Sequence, residues 1–170
     1  MYKFVLDADA TIKLAKAGAL EVLSGTAACI LTQEVYEEVM KGKEKMHTDA
    51  IITEDLVRKD KLKLLGKMHT EEETKAPGLG EKSALIASLR YKADALITDD
   101  TRFISQLKRS GVKFIIPSDV IVWLVKSGKL TREEGLAALG KLRTSIRKDA
   151  YKDAVDLIRG EQNGNNSLSA

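Results

Sequence analysis

The sequence predicts an α/β fold of three layers, α/β/α, with a central parallel sheet of four to five strands and a C-terminal helical extension. Two observations carry this expectation. Short apolar runs alternate with helix-period segments up to Pro117, the pattern of β-α-β units with parallel strands and helices on both sheet faces. After Pro117 the strand signals stop and helical patterns continue.

"KFVL" (3–6) reads as a short buried strand. Apolar residues at helical spacing follow from Thr11 to Leu23, and Ser24-Gly25 ends that helix. "ACILT" (28–32) is a second strand, and "QEVYEEVMK" (33–41) a helix with Val35, Tyr36, Val39 and Met40 on one side. Thr48-Asp49 caps a short helix over 49–58. "KLKLL" (61–65) is an edge strand whose lysines discourage further pairing. Residues 66–80 form a polar loop with Pro and Gly. "EKSALIASLRYK" (81–92) is a helix, "ALIT" (95–98) a buried strand, "RFISQLKRS" (102–110) a helix and "KFIIP" (113–117) a strand stopped by proline. Three helical segments follow: "SDVIVWLVKSG", "TREEGLAALGKLRTSIRK" and "DAYKDAVDLIR". Thr131 and Glu134 fit a capping box. Residues 160–170 are rich in Gly, Asn and Ser and read as a disordered tail.

With 170 residues, 44% hydrophobic and 31% charged, the chain has the balance of a soluble globular domain with a sizeable core. It has no apolar run long enough for a bilayer and no signal-peptide pattern at the N-terminus. The lone Cys29 cannot form an internal disulfide and reads as a small buried hydrophobe. A reducing cytoplasm is the expected location. The net charge of +3 permits a nucleic-acid partner without demanding one. The basic clusters at 41–45 and 58–67 also contain acids, as solvated faces often do.

Chemistry enters with the acids. In an open parallel sheet, ligands bind beyond the carboxyl ends of the strands. Two strands end there in acids: Asp7 after the first, and Asp99-Asp100 after "ALIT". One such acid is often only a turn residue or helix cap. Two separate acidic strand ends weaken that reading, because converging carboxylates need protons or a cation between them. A hard divalent ion is the natural neutraliser. Glu34, Glu37 and Glu38 follow the second strand, and Glu81 opens a later helix. Each could also be an ordinary solvated helix residue.

Two families share the opening "FVLDADATI". It is similar to the first motif of haloacid dehalogenase-like phosphatases, in which the first Asp is the nucleophile and the second a general acid/base. "ALITDD" also resembles that family's late acidic motif. Only a short helix follows the motif here, however, and the family's insertions and cap are missing. The wider pattern resembles PIN-domain ribonucleases, including toxins of the VapC kind. The resemblance rests on "VLDADATIKLAKAGALEVL", "LTQEVYEEVMKG" and above all "GLGEKSALIASLRYKADALITDDTRF". It covers residues 1–125 as a nuclease domain, with 126–159 as a C-terminal helical extension and 160–170 as the tail.

The PIN resemblance implies a ribonuclease with a site built from Asp7, Glu38, Glu81 and Asp100, with Glu34 and Glu37 as alternatives to Glu38. Many family members have Asp where Glu81 stands, and most have Ser or Asn where Asp9 stands. Asp99 and Asp9 add carboxylates near the metal, and Asp9 reads equally as a helix-start residue. Thr11 and Thr98 are candidates to orient ligands. The implied cofactor is Mg²⁺ or Mn²⁺ and the implied substrate RNA. An acidic pocket repels RNA, so cations beside it must supply binding. Arg102, Lys13, Lys41 and Lys82 adjoin site residues in sequence. His47 and His69 lie in polar segments and read as surface residues. The resemblance also implies an antitoxin partner and a homodimer. A PIN module that only binds RNA or protein is the alternative, but it would carry a degraded acidic set, and here all the positions are acidic. Trp123 and Leu124 could pack such an interface, although core packing fits them better.

Overall fold

The computed structural model describes residues 1–43, 47–68 and 78–160. β1 (Lys3–Leu6) leads into α1 (Ala8–Ala17) and α2 (Leu20–Thr26), then β2 (Ala28–Thr32), α3 (Gln33–Met40), α4 (Thr48–Arg58) and β3 (Leu62–Leu65). The chain continues through α5 (Leu79–Arg90), β4 (Ala95–Ile97), α6 (Thr101–Arg109) and β5 (Phe114–Ile115). It then runs through α7 (Pro117–Lys126), α8 (Arg132–Leu142) and α9 (Lys148–Arg159). The five strands form one sheet in the order β3-β2-β1-β4-β5, and every neighbouring pair is parallel. This is the three-layer α/β/α class expected from the alternation of elements.

The strand order explains where a site can form. The chain builds outward from β1 through β2 to β3, then returns to the other side of β1 for β4 and β5. Connections therefore leave β1 and β4 in opposite directions, which opens a crevice at their carboxyl ends. Register aligns Leu6 with Ile97, and the Asp7 N–H donates to the Ile97 carbonyl at 3.2 Å. Asp7 and Thr98 thus emerge side by side at the mouth of that crevice.

Val5, Leu6, Leu96 and Ile97 are fully buried, so both faces of the central strands are covered. β3 lies at the sheet edge as expected, and its exposed Lys63 sits 5.5 Å over the Tyr91 ring. Cys29 is buried, and burial pushes its thiol up to about 12. Trp123 stands edge-on to Tyr2 and Phe4, at 5.7 and 5.9 Å between ring centres, while Leu124 is fully buried. Among the described residues, no helix is long and apolar enough to cross a membrane.

Several element boundaries differ from expectation. The single helix expected over Thr11–Leu23 is two helices. α1 starts earlier because Asp7, in extended conformation, caps it. It stops because Gly18 turns left-handed, at φ 74°, and donates to the Leu14 and Ala15 carbonyls. α2 then runs through Ser24-Gly25 to Thr26. α4 begins at Thr48, with His47 at the cap position and Asp49 buried in the first turn. The segment expected to stay helical through Lys148 ends at Leu142, and residues 143–147 turn before α9. The Thr131–Glu134 capping box is present in both halves, at 3.1 and 2.8 Å. Most of the expected 66–80 loop, with His69, and all but the first residue of the 160–170 tail lie outside the described residues.

The helices after Pro117 pack on the sheet domain: α7 and α8 meet α1, and α9 packs on α7 and α8. Gly135 permits this crossing. A Cβ there would clash with Val125 Cγ2 and stand 3.1 Å from Ile158 Cδ1. Gly140, on the same helix, has open space around it. Alanine improves a helix interior by about 1 kcal/mol over glycine, whereas overpacking costs roughly 1–3 kcal/mol. Gly135→Ala is therefore expected to lower the melting temperature and Gly140→Ala to raise it. Thermal melts of both variants check this; a Gly135→Ala chain as stable as Gly140→Ala would show that the crossing is not close-packed.

Candidate active site

A cleft of about 950 Å³ opens at the carboxyl ends of β1 and β4. Among the described residues, eight carboxylates line it: Asp7, Asp9, Glu34, Glu37, Glu38, Glu81, Asp99 and Asp100. Lys13, Lys41 and Arg147 are the cations on its walls. The cleft is therefore strongly electronegative although the whole chain is mildly basic.

Each acid is held by local structure. Asp7 is the N-cap of α1: its Oδ1 accepts from the Ala10 N–H at 2.7 Å. Its carboxylate also accepts from the Thr98 hydroxyl, which in turn accepts from the Asp100 N–H at 3.2 Å. Thr98 thereby links the acids at the ends of two strands. Thr11 donates to the Asp7 backbone carbonyl at 2.6 Å and so fixes the helix start instead of the carboxylate. Asp100 is the N-cap of α6, accepting from the Phe103 N–H at 2.7 Å. The helix-cap reading of these acids and the ligand reading are compatible, because a cap occupies only part of a carboxylate's acceptor capacity.

Two helices bring the remaining acids. Glu38 lies on α3 and its Oε2 would stand 2.8 Å from a Cβ on Gly80, so the missing side chain lets the carboxylate reach the start of α5. Glu81, in the first turn of α5, lies close enough to Asp100 and Glu38 for both charges to act on it. Glu34 turns elsewhere: its Oε1 accepts from the Met68 N–H at 2.7 Å. Glu37 accepts from the exposed Gln33 amide at 3.0 Å. Among the described residues, Glu38 is the α3 glutamate whose charge, with burial, raises Glu81.

The electrostatics follow from this crowding. Burial pushes Asp7 up to about 7, and the charges on Asp9 and Asp99 add to the rise; hydrogen bonds from Thr98 and Ala10 oppose it. Glu81 is raised by burial, then by Asp100 and Glu38, with Arg102 opposing. Asp99 is raised by burial and held back by Lys13. The Lys13 ammonium is buried between Asp9 Oδ2 at 2.6 Å and Asp99 Oδ2 at 2.7 Å. Asp9 thus sits in the first turn of α1 and is ion-paired within it.

The cations expected from sequence fall in different places. Lys13 and Lys41 line the cleft; Arg102 acts on Glu81 from outside the lining, and Lys82 is exposed away from it. The basic clusters are partly paired: Lys43 with Glu54, and Arg58 and Lys59 with Asp55. His47 is exposed. Sequence reading missed Thr101 and the α8–α9 turn, whose Thr144, Ser145, Ile146 and Arg147 close one side of the cleft. The available signal was Thr144, Ser145 and the β-branched Ile146 in succession, all weak helix formers. A second cavity of about 400 Å³ adjoins the cleft through Asp99, Thr101, Ile146 and Arg147, and contains Phe114 with Lys108 5.7 Å above its ring.

The donor set fits a hard divalent ion, because carboxylate oxygens are its natural ligands and the crowding of acids that adds to burial in raising Asp7 and Glu81 is relieved by a cation. Among the described residues, Asp7, Glu38, Glu81 and Asp100 make no ion pair of their own, and no three acids are gathered into a ready-made cage.

A parallel α/β/α domain with an acid-lined crevice at its strand switch belongs to the class of domains that bind ligands at the strand ends. A family model described as a PIN domain matches residues 3–159, and the chain belongs to that family. PIN domains are generally nucleases and typically depend on a divalent metal. Searches of curated proteins and of solved structures give no match.

Proposed function

We propose that the protein is a metal-dependent ribonuclease that hydrolyses RNA phosphodiester bonds and leaves a 5′-phosphate. The observation that carries this reading is the cleft itself. Four acids from four elements, Asp7, Glu38, Glu81 and Asp100, line it at the strand switch, and among the described residues none of them makes an ion pair. Mg²⁺ or Mn²⁺ bound by these four would supply a more acidic water and neutralise charge on the phosphodiester.

The chain's own residues have separate tasks. Thr98 holds the Asp7 carboxylate and fixes the strand end beside Asp100. Gly80 lets Glu38 reach the site. Lys41 and Arg147, on the cleft walls, offset the repulsion between RNA and the acids. The adjoining cavity with Phe114 and Lys108 continues the path for a single strand, with one ring to stack a base. A toxin role with an antitoxin partner, and a homodimer, are finer parts of the same reading.

The test is incubation of the full chain with varied RNAs, with Mn²⁺, with Mg²⁺ and with a chelator. Cleavage products carrying 5′-phosphate, lost on chelation, are expected. Metal-independent cleavage, or turnover of para-nitrophenyl phosphate that vanishes in Asp7→Asn, would favour a different enzyme, the latter the dehalogenase-like one.

A further inference from the structure

The cleft is not uniformly acidic. One half, at the start of α1, holds Asp9 and Asp99 on either side of a buried ammonium. The other half holds Glu81, raised by burial and by the charges of Asp100 and Glu38, and opposed by Arg102 from outside the lining.

The ammonium's position follows from sequence and fold together. Asp9 and Lys13 lie four residues apart on α1, the spacing at which helix side chains meet. Asp99 comes from the far side of the chain, brought beside α1 by the β1–β4 pairing. Lys13 binds one oxygen of each acid and is 9% exposed, so its charge lies inside the site and is not offered to solvent.

We propose that Lys13 is a built-in cation that occupies the Asp9–Asp99 half of the cleft and restricts the protein to one divalent ion, held in the Glu38–Glu81–Asp100 half with Asp7. The proposal rests on the metal-dependent reading above and adds the number of ions and the residue that sets it. Two features of the geometry support it. Asp99 Oδ2 and Asp9 Oδ2 already bind the ammonium, which stands where an ion bridging those two acids would have to stand. A second divalent ion there would also face a like charge at close range, where low dielectric strengthens repulsion. Lys13 acts on the ion count through Asp9 and Asp99, so it is a positioning residue and not a catalytic one.

The experiment counts Mn²⁺ in the full-length chain without substrate, by equilibrium binding and by electron paramagnetic resonance. The wild type is expected to bind one Mn²⁺ and show the signal of an isolated ion. Lys13→Met, of similar length and uncharged, is expected to bind two and show a spin-coupled pair. Lys13→Arg, which keeps the charge, is expected to bind one. A wild type that binds two ions overturns the proposal, and so does a Lys13→Met chain that binds one. If Lys13→Met folds only with metal present, it is folded in Mn²⁺ and the bound ions are counted in the same way. A wild type that binds no Mn²⁺ overturns the metal-dependent reading itself, a result distinct from two ions in the wild type.

Discussion

Asp7→Asn is expected to lower RNA cleavage by more than about 100-fold while raising the melting temperature of the metal-free protein at pH 8. In the proposed metal site Asp7 is a direct ligand, and partners one shell further out already cost roughly 10–100-fold when removed. The gain in stability follows from the direction of the Asp7 shift. Its carboxyl sits near 7 in the folded chain, against an ordinary value of 3.8. Below about pH 4, the acid is protonated whether the chain is folded or not, and it favours neither state. As pH rises towards 7, the unfolded chain gives up this proton first, so stability falls through that window. Above it, the folded chain carries a buried charge at a cost on the order of 4 kcal/mol, an upper bound before relaxation.

Asparagine removes that charge and still caps α1. Its amide can donate to Thr98, whose hydroxyl accepts as well as donates. Melts at pH 4 and pH 8 separate the effects: the gap between variant and wild type should be small at the lower pH and large at the higher. Added Mn²⁺ should stabilise the wild type by mass action and the variant far less. A variant less stable than the wild type at both pH values would make Asp7 a structural cap alone.

Gly80→Ala is expected to reduce cleavage and Mn²⁺ affinity roughly 10–100-fold, as loss of a supporting contact does in metal sites. The fold should not suffer. The new methyl group meets the free end of Glu38, at 2.8 Å, and that side chain can swing away at little cost. In a helix, alanine is also the better residue by about 1 kcal/mol. A variant that melts at or above the wild-type temperature and yet cleaves poorly would mark the Glu38 approach as functional. Glu38→Asp in the same chain withdraws the carboxylate by one methylene and should restore part of the activity. Full activity in Gly80→Ala would remove Glu38 from the ligand set.

The sheet was legible because its signals are local. "KFVL" and "ACILT" are strands at the positions their apolar runs indicate, and the edge position of "KLKLL" follows from its lysines. The helix boundaries were less so. The break at Gly18 depends on a left-handed residue in the middle of an apolar pattern that runs on without interruption. The end of α8 at Leu142 depends on where α9 packs. Within the site, a strand-end Asp was visible as such, but pairing Asp7 with Thr98 required the β1–β4 register. Lys13 looked like a cation for RNA because its neighbours in sequence are site residues. Its partner Asp99 lies 86 positions away, and only the fold brings the two within 2.7 Å.

The β1–β4 pairing also sets a schedule. Lys3 and Asp94 are joined by a hydrogen bond across 91 positions, so the central strand of the sheet waits for a neighbour made late in synthesis. Contacts of that span are slow to form, since the intervening chain must be ordered before they contribute. The first three strands can associate while the ribosome is still at work, but β1 then has one bare edge and Asp7 has no Thr98 beside it. The cleft gains its final wall only when Thr144–Arg147 have emerged. At about 5–20 residues per second, the chain spends several seconds between making Asp7 and completing the surface that surrounds it. During those seconds the nascent protein lies beside its own message without an assembled site.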